Sequence, residues 1–350
     1  MEELRGRIKQ KRREGAFEVL SEIDKVISPK VEELLELGVE NKFKPLIKYQ
    51  TSTGGKKLRA ALVMLGCLGC GGDEKDSVYP AAAMEILHNN TLMVDDIIDH
   101  STWRRRKFTT WKKYGSSVTQ CLTFIYSASV FQAAAHARNS KALTERFAVA
   151  FKTVLQGEIN DLLLEQAGRE NEKYIQKNRC KNVGLDDYLE MISQKTASLI
   201  AISSEVGGVC ADTSDPRIKA LRGYGYNLGM AFQIRDDILD IYGDEAKFGK
   251  RIGQDIYERK LGNILIIYAL EEFDKEAKQK FLNILQKDKI TEGDVNKAIK
   301  MIKRTGAQKK ATELAGNYSS KGYENLKKLP QNQYNGVLKD LLDFVIKRDI

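Results

Sequence analysis

Residues 95–99 read Asp-Asp-Ile-Ile-Asp and residues 236–240 read Asp-Asp-Ile-Leu-Asp, so one D-D-x-x-D pattern occurs twice, about 140 residues apart. Each copy lies in an apolar stretch that predicts an α-helix. Positions four apart on a helix lie about 40° apart around its axis, so Asp95 shares a face with Asp99, and Asp236 shares one with Asp240. Two carboxylates on one face repel each other unless cations lie beside them. Each motif therefore predicts a pair of metal-binding carboxylates.

The ligand types indicate which metal these pairs would bind. Oxygen ligands without His or Cys favour Mg²⁺, which usually completes its coordination with water and substrate phosphates. The sequence therefore predicts a phosphate or diphosphate substrate.

The rest of the chain predicts an all-α fold, a single bundle of long helices. Only five of its 350 residues are prolines, and none occurs within 81–215 or 217–329. Apolar residues recur there at spacings of three and four, and no sustained period-two alternation indicates a sheet. No linker composition is evident, so we expect one domain over residues 1–350. The polar stretch 165–184 is predicted to be an exposed loop.

The composition indicates which partners to exclude and which cellular compartment to expect. The formal net charge is +9, but the basic residues are spread among acidic neighbours without interleaved aromatics, so no nucleic-acid partner is expected. No apolar run reaches the length of a transmembrane segment, although a transient contact with a membrane surface during product release stays open. Five cysteines are an odd number, which is typical of a reducing compartment. A cytoplasmic protein is expected.

Basic residues flank the first aspartate motif. Residues 54–59 read Gly-Gly-Lys-Lys-Leu-Arg, and Lys56 and Arg59 would share a helix face on which a diphosphate could bind without a metal. The alternative is a solvated helix start. Residues 104–107 read Arg-Arg-Arg-Lys, and the mutual repulsion of these cations predicts an anion among them.

A second set of basic residues accompanies the second motif. Lys195 and Thr196 interrupt the apolar stretch MISQKTASLI, where a lysine that extends to solvent is the alternative reading. Lys250 follows Gly249, and Lys260 follows a further carboxylate, Asp255. Two aspartate pairs, each followed by cations, predict two sides of one anionic cavity.

Taken together, these motifs resemble those of the trans-isoprenyl (polyprenyl) diphosphate synthases, the family of the farnesyl and geranylgeranyl diphosphate synthases. The resemblance extends over most of the chain and rests on GGKKLRA, ILHNNTLMVDDIID, GEINDL, YLEMISQKTASL, YGYNLGMAFQIRDDILD and GKRIGQDIYERK. It implies helices around a deep central cavity (the isoprenoid synthase fold) and a homodimer. The chain departs from the family pattern at Glu158, where a Gln is usual, and at 106–108, where Arg-Lys-Phe replaces Gly-x-Pro.

The resemblance also implies a role for each matching residue. Asp95 and Asp99 would hold two Mg²⁺ and Asp236 a third, with Asp240 and Asp161 in support. The diphosphate of the allylic substrate would bind these metals together with three cations, Arg104, Lys195 and Lys250.

The resemblance implies further roles for four groups around a second substrate, isopentenyl diphosphate, whose diphosphate would be bound by Lys56, Arg59, His88 and Arg105. Lys260 is a further candidate for substrate binding. The oxygens of Thr196 and Gln233 are candidates for facing the allylic carbocation that forms after the diphosphate departs.

Product length is predicted from the helix that carries the first motif. In this family a bulky aromatic four or five residues before the first aspartate closes the pocket, whereas this chain has Thr91 and Asn90 there, with Leu87 on the same face. We therefore expect geranylgeranyl diphosphate or a longer product, with farnesyl diphosphate as the alternative. A class I terpene cyclase and a non-catalytic partner subunit of a heteromeric synthase are less favoured, since both aspartate motifs are intact.

Overall fold

A computed structural model describes residues 2–12, 14–244 and 251–347. These residues are mainly helical, which confirms the predicted all-α class. In the first half of the chain the α-helices are α1 (Glu2–Lys11), α2 (Ala16–Glu36), α3 (Lys44–Thr51), α4 (Leu58–Gly69), α5 (Glu74–Ile98), α6 (Thr110–Tyr114), α7 (Ser116–Ala135) and α8 (Ser140–Leu163). A 3₁₀ turn at Asn41–Phe43 precedes α3.

The second half of the chain continues the helical pattern. Its α-helices are α9 (Lys173–Asn178), α10 (Leu185–Ile192), α11 (Ser198–Cys210), α12 (Asp215–Tyr242), α13 (Gln254–Tyr257), α14 (Ile264–Glu272), α15 (Lys275–Leu285), α16 (Glu292–Ile302), α17 (Ala307–Leu326) and α18 (Gln333–Lys347). One turn of π-helix, Ser193–Ala197, joins α10 to α11.

The described residues fall into two compact units. The first unit consists of Met1–Val154, Ser198–Tyr226 and Gly322–Asp343, and the second of Leu155–Ala197, Asn227–Lys321 and Phe344–Ile350. The single domain predicted for residues 1–350 stays a prediction. The first aspartate motif belongs to the first unit and the second motif to the second.

The core of the first unit forms around α5. This helix begins at Glu74, where the Asp73 carboxylate accepts a hydrogen bond from the Lys75 backbone N–H at 3.1 Å. It packs against α4 and α7, and α4 also packs against α11. Small buried residues in α5, Ala81–Ala83 in particular, allow the neighbouring helices to approach closely. The packed helices fix the end of α5, where Asp95 and Asp99 lie.

The core of the second unit forms around α14, a nine-residue helix of almost continuous apolar sequence. Its residues Ile264–Leu270 are all buried, which is typical of a helix covered on every side. They pack in one apolar cluster with Ile234 and Ile238 of α12. The cluster therefore fixes the part of α12 that carries the second aspartate motif.

A short β-hairpin is the exception to the predicted absence of strands. Strands β1 (Trp103–Arg104) and β2 (Lys107–Phe108) pair antiparallel, with Trp103 opposite Phe108. The two residues between them, Arg105 and Arg106, have φ angles of 51° and 64°. Such φ angles suit the two-residue turns that match the twist of a hairpin, although glycine and asparagine adopt them more easily than arginine.

Segment 165–184, which was predicted to be an exposed loop, has exposed residues over much of its length. It contains α9 and buries both Ile175 and Glu165. The Glu165 carboxylate accepts two hydrogen bonds from Arg169, at 2.8 and 2.9 Å. Its polar sequence therefore reflects a partly packed segment with internal ion pairs. Among the helices of the described residues, none is both long and apolar enough to cross a lipid bilayer.

Candidate active site

The first aspartate motif forms the last turn of α5. The Asp99 backbone N–H donates to the Asp95 carbonyl oxygen at 2.8 Å, so these two residues are one helical turn apart. Asp96, between them, is buried. Burial raises the pKa of Asp96 to about 6, although the nearby Arg104 opposes this shift.

Arg104 of the hairpin pairs with this motif. Its Nη2 donates to Asp95 Oδ2 at 2.8 Å, and its Nε donates to Asp96 Oδ1 at 2.9 Å. The guanidinium thus binds the first two aspartates together. The family resemblance implied that Arg104 binds the diphosphate, and its pairing with Asp96 was not predicted.

Arg59, His88 and Arg105 form a basic cluster in the same unit. Arg59 Nη1 lies 3.0 Å from His88 Nε2. Burial and the neighbouring Arg59 and Arg105 hold the pKa of His88 well below its usual range, so the imidazole is neutral. Because a guanidinium can only donate, Nε2 accepts and the proton lies on Nδ1. Nδ1 is buried and has no hydrogen-bond partner among the described residues.

Gly55 makes room for Arg105. A Cβ atom at Gly55 would lie 2.5 Å from Arg105 Nη1, and Gly55 has a φ of +136°. Any side chain here would displace the guanidinium and strain the backbone. Lys56, the next residue, is exposed, and its ammonium lies 4.4 Å from the centre of the Phe17 ring.

The product-length positions occupy different environments on α5. Asn90 is buried, and its Nδ2 donates to Thr123 O at 3.0 Å and to Ser127 Oγ at 2.8 Å on α7. Thr91 is half-buried and donates to His88 O at 2.8 Å. Leu87 is fully buried. The Asn90 amide is therefore used to join two helices.

In the second unit, Asp161 of α8 lies between two lysines. Its carboxylate is 2.7 Å from Lys195 Nζ and 3.0 Å from Lys260 Nζ. Burial alone would raise the pKa of Asp161, but the two ammonium groups outweigh it and hold the pKa well below the usual range. Glu158, a departure from the family pattern, lies 2.9 Å from Lys195 Nζ. Lys260 is buried and also contacts Glu258 at 3.1 Å.

Gly157 allows this arrangement. A Cβ atom at Gly157 would lie 2.3 Å from the backbone nitrogen of Lys195 and 2.8 Å from the carbonyl carbon of Gln194. Here α8 therefore touches the π-helical turn that carries Lys195 and Thr196. Turns of π-helix occur frequently at functional sites, where they redirect side chains.

We expect Gly157→Ala to lower the free energy of unfolding by about 1–3 kcal/mol, because backbone atoms must move to admit the methyl group. Gly316→Ala is a matched control, since Gly316 also lies within a helix but has no atom within 4 Å of the added Cβ. The control should be stabilised by up to about 1 kcal/mol through helix propensity. Urea denaturation measures both variants, and equal midpoints for the two would contradict the close approach.

A chain of hydrogen bonds connects Thr196 to the second aspartate motif. Thr196 Oγ1 donates to Gln233 Oε1 at 2.9 Å, and Gln233 Nε2 donates to Asp237 Oδ1 at 2.9 Å. The other oxygen of Asp237 accepts from the Ile264 backbone N–H at 3.1 Å, at the start of α14. Burial raises the pKa of Asp237 well above its usual value, and Asp255 adds to the shift.

Asp240 ends the second motif beside α13. Its Oδ1 accepts from the Gln254 backbone N–H at 2.9 Å. Burial raises its pKa well above the usual value, and the charge of Asp255 adds to this. Asp255 accepts from Asn263 Nδ2 at 2.8 Å, and burial, followed by the charge of Glu258, raises its pKa to about 6. Lys250 lies outside the described residues.

Several site residues were missed in the sequence. No role was predicted for Asn263, whose side-chain amide donates to Asp255, or for Lys57 and Glu85, which form a buried ion pair at 3.2 Å. A signal was present for Glu85, since it lies three residues before His88 on one helix face. Its pairing with Lys57 spans 28 residues and has no sequence signature.

The donor set fits a hard divalent cation. The buried Oδ2 atoms of Asp96 and Asp240 have no hydrogen-bond partner among the described residues. Within the same part of the chain, no three Asp, Glu, His or Cys side chains converge on one point. Mg²⁺ commonly binds through one or two carboxylates and takes its remaining ligands from water and phosphate, and the two unpartnered carboxylate oxygens are compatible with such a site.

Comparison with known proteins adds independent information. The family model for polyprenyl synthetases matches residues 40–302. A short chain isoprenyl diphosphate synthase from Methanocaldococcus jannaschii is 32% identical over 285 residues, which cover 80% of this chain and 83% of that protein.

Solved structures agree with this match. The crystal structure of geranylgeranyl pyrophosphate synthetase from Pyrococcus horikoshii superposes with a TM-score of 0.85 at 32% identity, covering 97% of this chain and 100% of that one. A polyprenyl synthase from Caulobacter crescentus, complexed with calcium and isoprenyl diphosphate, gives a TM-score of 0.82 at 28% identity and covers 95% and 98%. The chain therefore has the predicted isoprenoid synthase fold.

Proposed function

The chain belongs to the polyprenyl synthetase family and is a trans-prenyltransferase, and from this premise we propose that it condenses isopentenyl diphosphate with an allylic diphosphate to give geranylgeranyl diphosphate or a longer all-trans product. One observation carries the proposal. In each unit cations pair with carboxylates: Arg104 binds Asp95 of the first motif in the first unit, and in the second unit, which carries the second motif, Lys195 and Lys260 bind Asp161.

Magnesium is part of this proposal. Asp95, Asp99 and Asp236 would hold three Mg²⁺ per active site, with Asp240 in support. Bound Mg²⁺ would stabilise the negative charge that develops on the departing diphosphate. The oxygen-only donor set supports this assignment, as does the calcium that accompanies the Caulobacter crescentus synthase.

The cations of this chain divide between two diphosphates. Arg104, Lys195 and Lys250 would bind the allylic diphosphate, stabilising it more strongly as it leaves than in the bound ester. Lys56, Arg59, Arg105 and the Nδ1–H of His88 would bind isopentenyl diphosphate, and Lys260 would hold Asp161 in place. The partly buried Arg59–His88 pair supports the second group, because both side chains are already oriented before an anion arrives.

The carbocation left after ionisation requires oxygen lone pairs and the absence of water. Thr196 Oγ1 is held by its hydrogen bond to Gln233, so both side chains have a defined direction. The double bond of isopentenyl diphosphate attacks the cation, and the proton then leaves to the released diphosphate, by analogy with the family. No protein general base is needed.

Radiolabelled isopentenyl diphosphate, incubated with the chain and each allylic starter, tests the proposal. Dephosphorylated products are sized by chromatography. We expect metal-dependent incorporation and a product of at least twenty carbons. A cyclised product formed from the allylic substrate alone, without incorporation of the label, would favour a terpene cyclase. No turnover without a second protein would favour a partner subunit.

Product length gives a prediction at Thr91 and Asn90. Thr91→Phe should shorten the main product while activity remains, because an aromatic ring overfills the pocket and leaves the aspartates untouched. Asn90→Phe should shorten it too but also destabilise the fold, since it removes the bonds to Thr123 and Ser127. Product sizing with thermal denaturation separates the two effects. Unchanged product length in Thr91→Phe would show that Thr91 does not lie at the end of the pocket that limits product length.

The homodimer and the cytoplasmic location are proposals as well. Along α7, Phe124 and Phe131 are seven residues apart, so they share a helix face, and they are 77% and 38% exposed, which supports association with a second copy. Sedimentation equilibrium should give twice the chain mass of 39.5 kDa. The odd number of cysteines supports a reducing compartment.

A further inference from the structure

Beneath the basic cluster of the first unit lies a buried polar group made of Lys57, Glu85 and Asn89. The side chains of Lys57 and Glu85 are only 5% and 3% exposed. Lys57 Nζ lies 3.2 Å from Glu85 Oε1, and Asn89 Nδ2 donates to the same oxygen at 2.8 Å. Glu85 Oε2 is buried without a hydrogen-bond partner among the described residues. Burial of a carboxylate costs desolvation free energy, so a buried Glu85 is expected to have a structural or functional role.

The charge of Glu85 acts on two members of the basic cluster, Arg59 and Arg105. Burial lowers the pKa of Arg59 to about 10, while the charge of Glu85 opposes this shift and that of Arg105 adds to it. Burial likewise lowers the pKa of Arg105, and Glu85 is the first group that opposes it. Glu85 is therefore a counter-charge that allows these cations to lie close together before a diphosphate binds.

The geometry shows what the carboxylate holds in place. Lys57 has φ 48° and ψ 33°, a left-handed conformation, and immediately precedes α4. This conformation costs roughly 1 kcal/mol or more in a residue other than glycine and persists where surrounding contacts enforce it. The ion pair with Glu85 is such a contact. It ties the Gly54–Lys57 turn, which leads directly into α4, to α5; Arg59 lies in the first turn of α4 and His88 lies on α5.

We propose that Glu85 is a positioning residue for the diphosphate of isopentenyl diphosphate, acting through Lys57 on the turn that orients Lys56 and Arg59. This inference rests on the proposed function. It also predicts the direction in which loss of the Glu85 charge changes anion binding, and this direction is opposite to the one that simple electrostatics predicts. Removing a negative charge near an anion site should tighten anion binding, whereas loosening a positioned turn should weaken it.

The experiment compares Glu85→Gln with wild type in steady-state condensation assays. We expect the KM for isopentenyl diphosphate to rise about tenfold, with a much smaller change in the KM for the allylic substrate and in kcat. A KM for isopentenyl diphosphate that falls or stays constant would overturn the proposal. Wild-type chain that fails to incorporate isopentenyl diphosphate would instead overturn the proposed function, and this is seen before any variant is tested.

A matched control separates positioning from general destabilisation. Glu205 is also a buried carboxylate of the first unit, and it pairs with Arg146 at 2.9 Å and Arg222 at 2.8 Å. Glu205→Gln should lower the melting temperature without changing the ratio of the two KM values. If Glu85→Gln and Glu205→Gln behave alike in both readouts, Glu85 is merely structural and the proposal is wrong.

Lys57→Met tests the same ion pair from the other partner, which matters if Glu85→Gln folds poorly. Its KM for isopentenyl diphosphate should rise by a similar factor. The double variant Lys57→Met/Glu85→Gln should then show little further increase, because each single change already breaks the pair. Multiplicative effects of the two changes would show that Lys57 and Glu85 act independently and would contradict the proposal.

Discussion

Asp95→Ala and Asp236→Ala should each lower kcat by about a thousandfold or more, with the helical fold retained. A thousandfold loss corresponds to about 4 kcal/mol of transition-state stabilisation, a plausible share for one carboxylate ligand of a metal that neutralises a leaving diphosphate. Steady-state assays at saturating Mg²⁺ measure the loss, and circular dichroism checks the fold. Glu170→Ala, at an exposed carboxylate, is the control and should keep wild-type turnover.

The double variant Asp95→Ala/Asp236→Ala tests whether the motifs act on the same diphosphate. Residues that act as a unit are strongly non-additive, so the double variant should be scarcely slower than the slower single variant. Two independent effects that multiply, or near-wild-type turnover in either single variant, would refute the shared role.

Asp161→Ala should lower the free energy of unfolding by about 3 kcal/mol, because it leaves two lysines without their shared partner. We expect the lower end of the usual range for breaking a buried pair, since Glu158 still contacts Lys195 and Glu258 still contacts Lys260. Urea denaturation measures the change. Asp212→Ala is the control, because its pair with Arg138 is mostly exposed and should contribute less than about 1 kcal/mol.

The difference in the free energy of unfolding between wild type and Asp161→Ala should change with pH in a defined direction. The pKa of Asp161 is held below its usual range by Lys195 and Lys260, against the effect of burial. A lowered folded-state pKa contributes stability that is present above the unfolded value of about 3.9 and is lost as the pH falls below it. The gap between wild type and Asp161→Ala should therefore be constant near neutral pH and shrink below about pH 4. A gap that widens with acid would contradict the pairing.

The aspartate motifs show most clearly which properties can be predicted from the sequence alone. The spacing of Asp95 and Asp99 depends only on helix geometry, and the Asp99 N–H to Asp95 O bond shows the predicted helical turn. The all-α class likewise followed from local periodicity and the scarcity of proline. Both properties are set by residues within a few positions of one another, which is why a single sequence reveals them.

What the tertiary structure decided depends on residues far apart in the chain. The sequence alone determined the helices, the two acidic faces and the cations near them. It did not determine which cation pairs with which carboxylate: Lys57 with Glu85, and Lys195 and Lys260 with Asp161, are joined across 28 residues or more. Nor did it show that Asn90 is bound to α7. These pairings exist because packing removes water from the groups, and a buried charge or amide must then find its partner inside the protein.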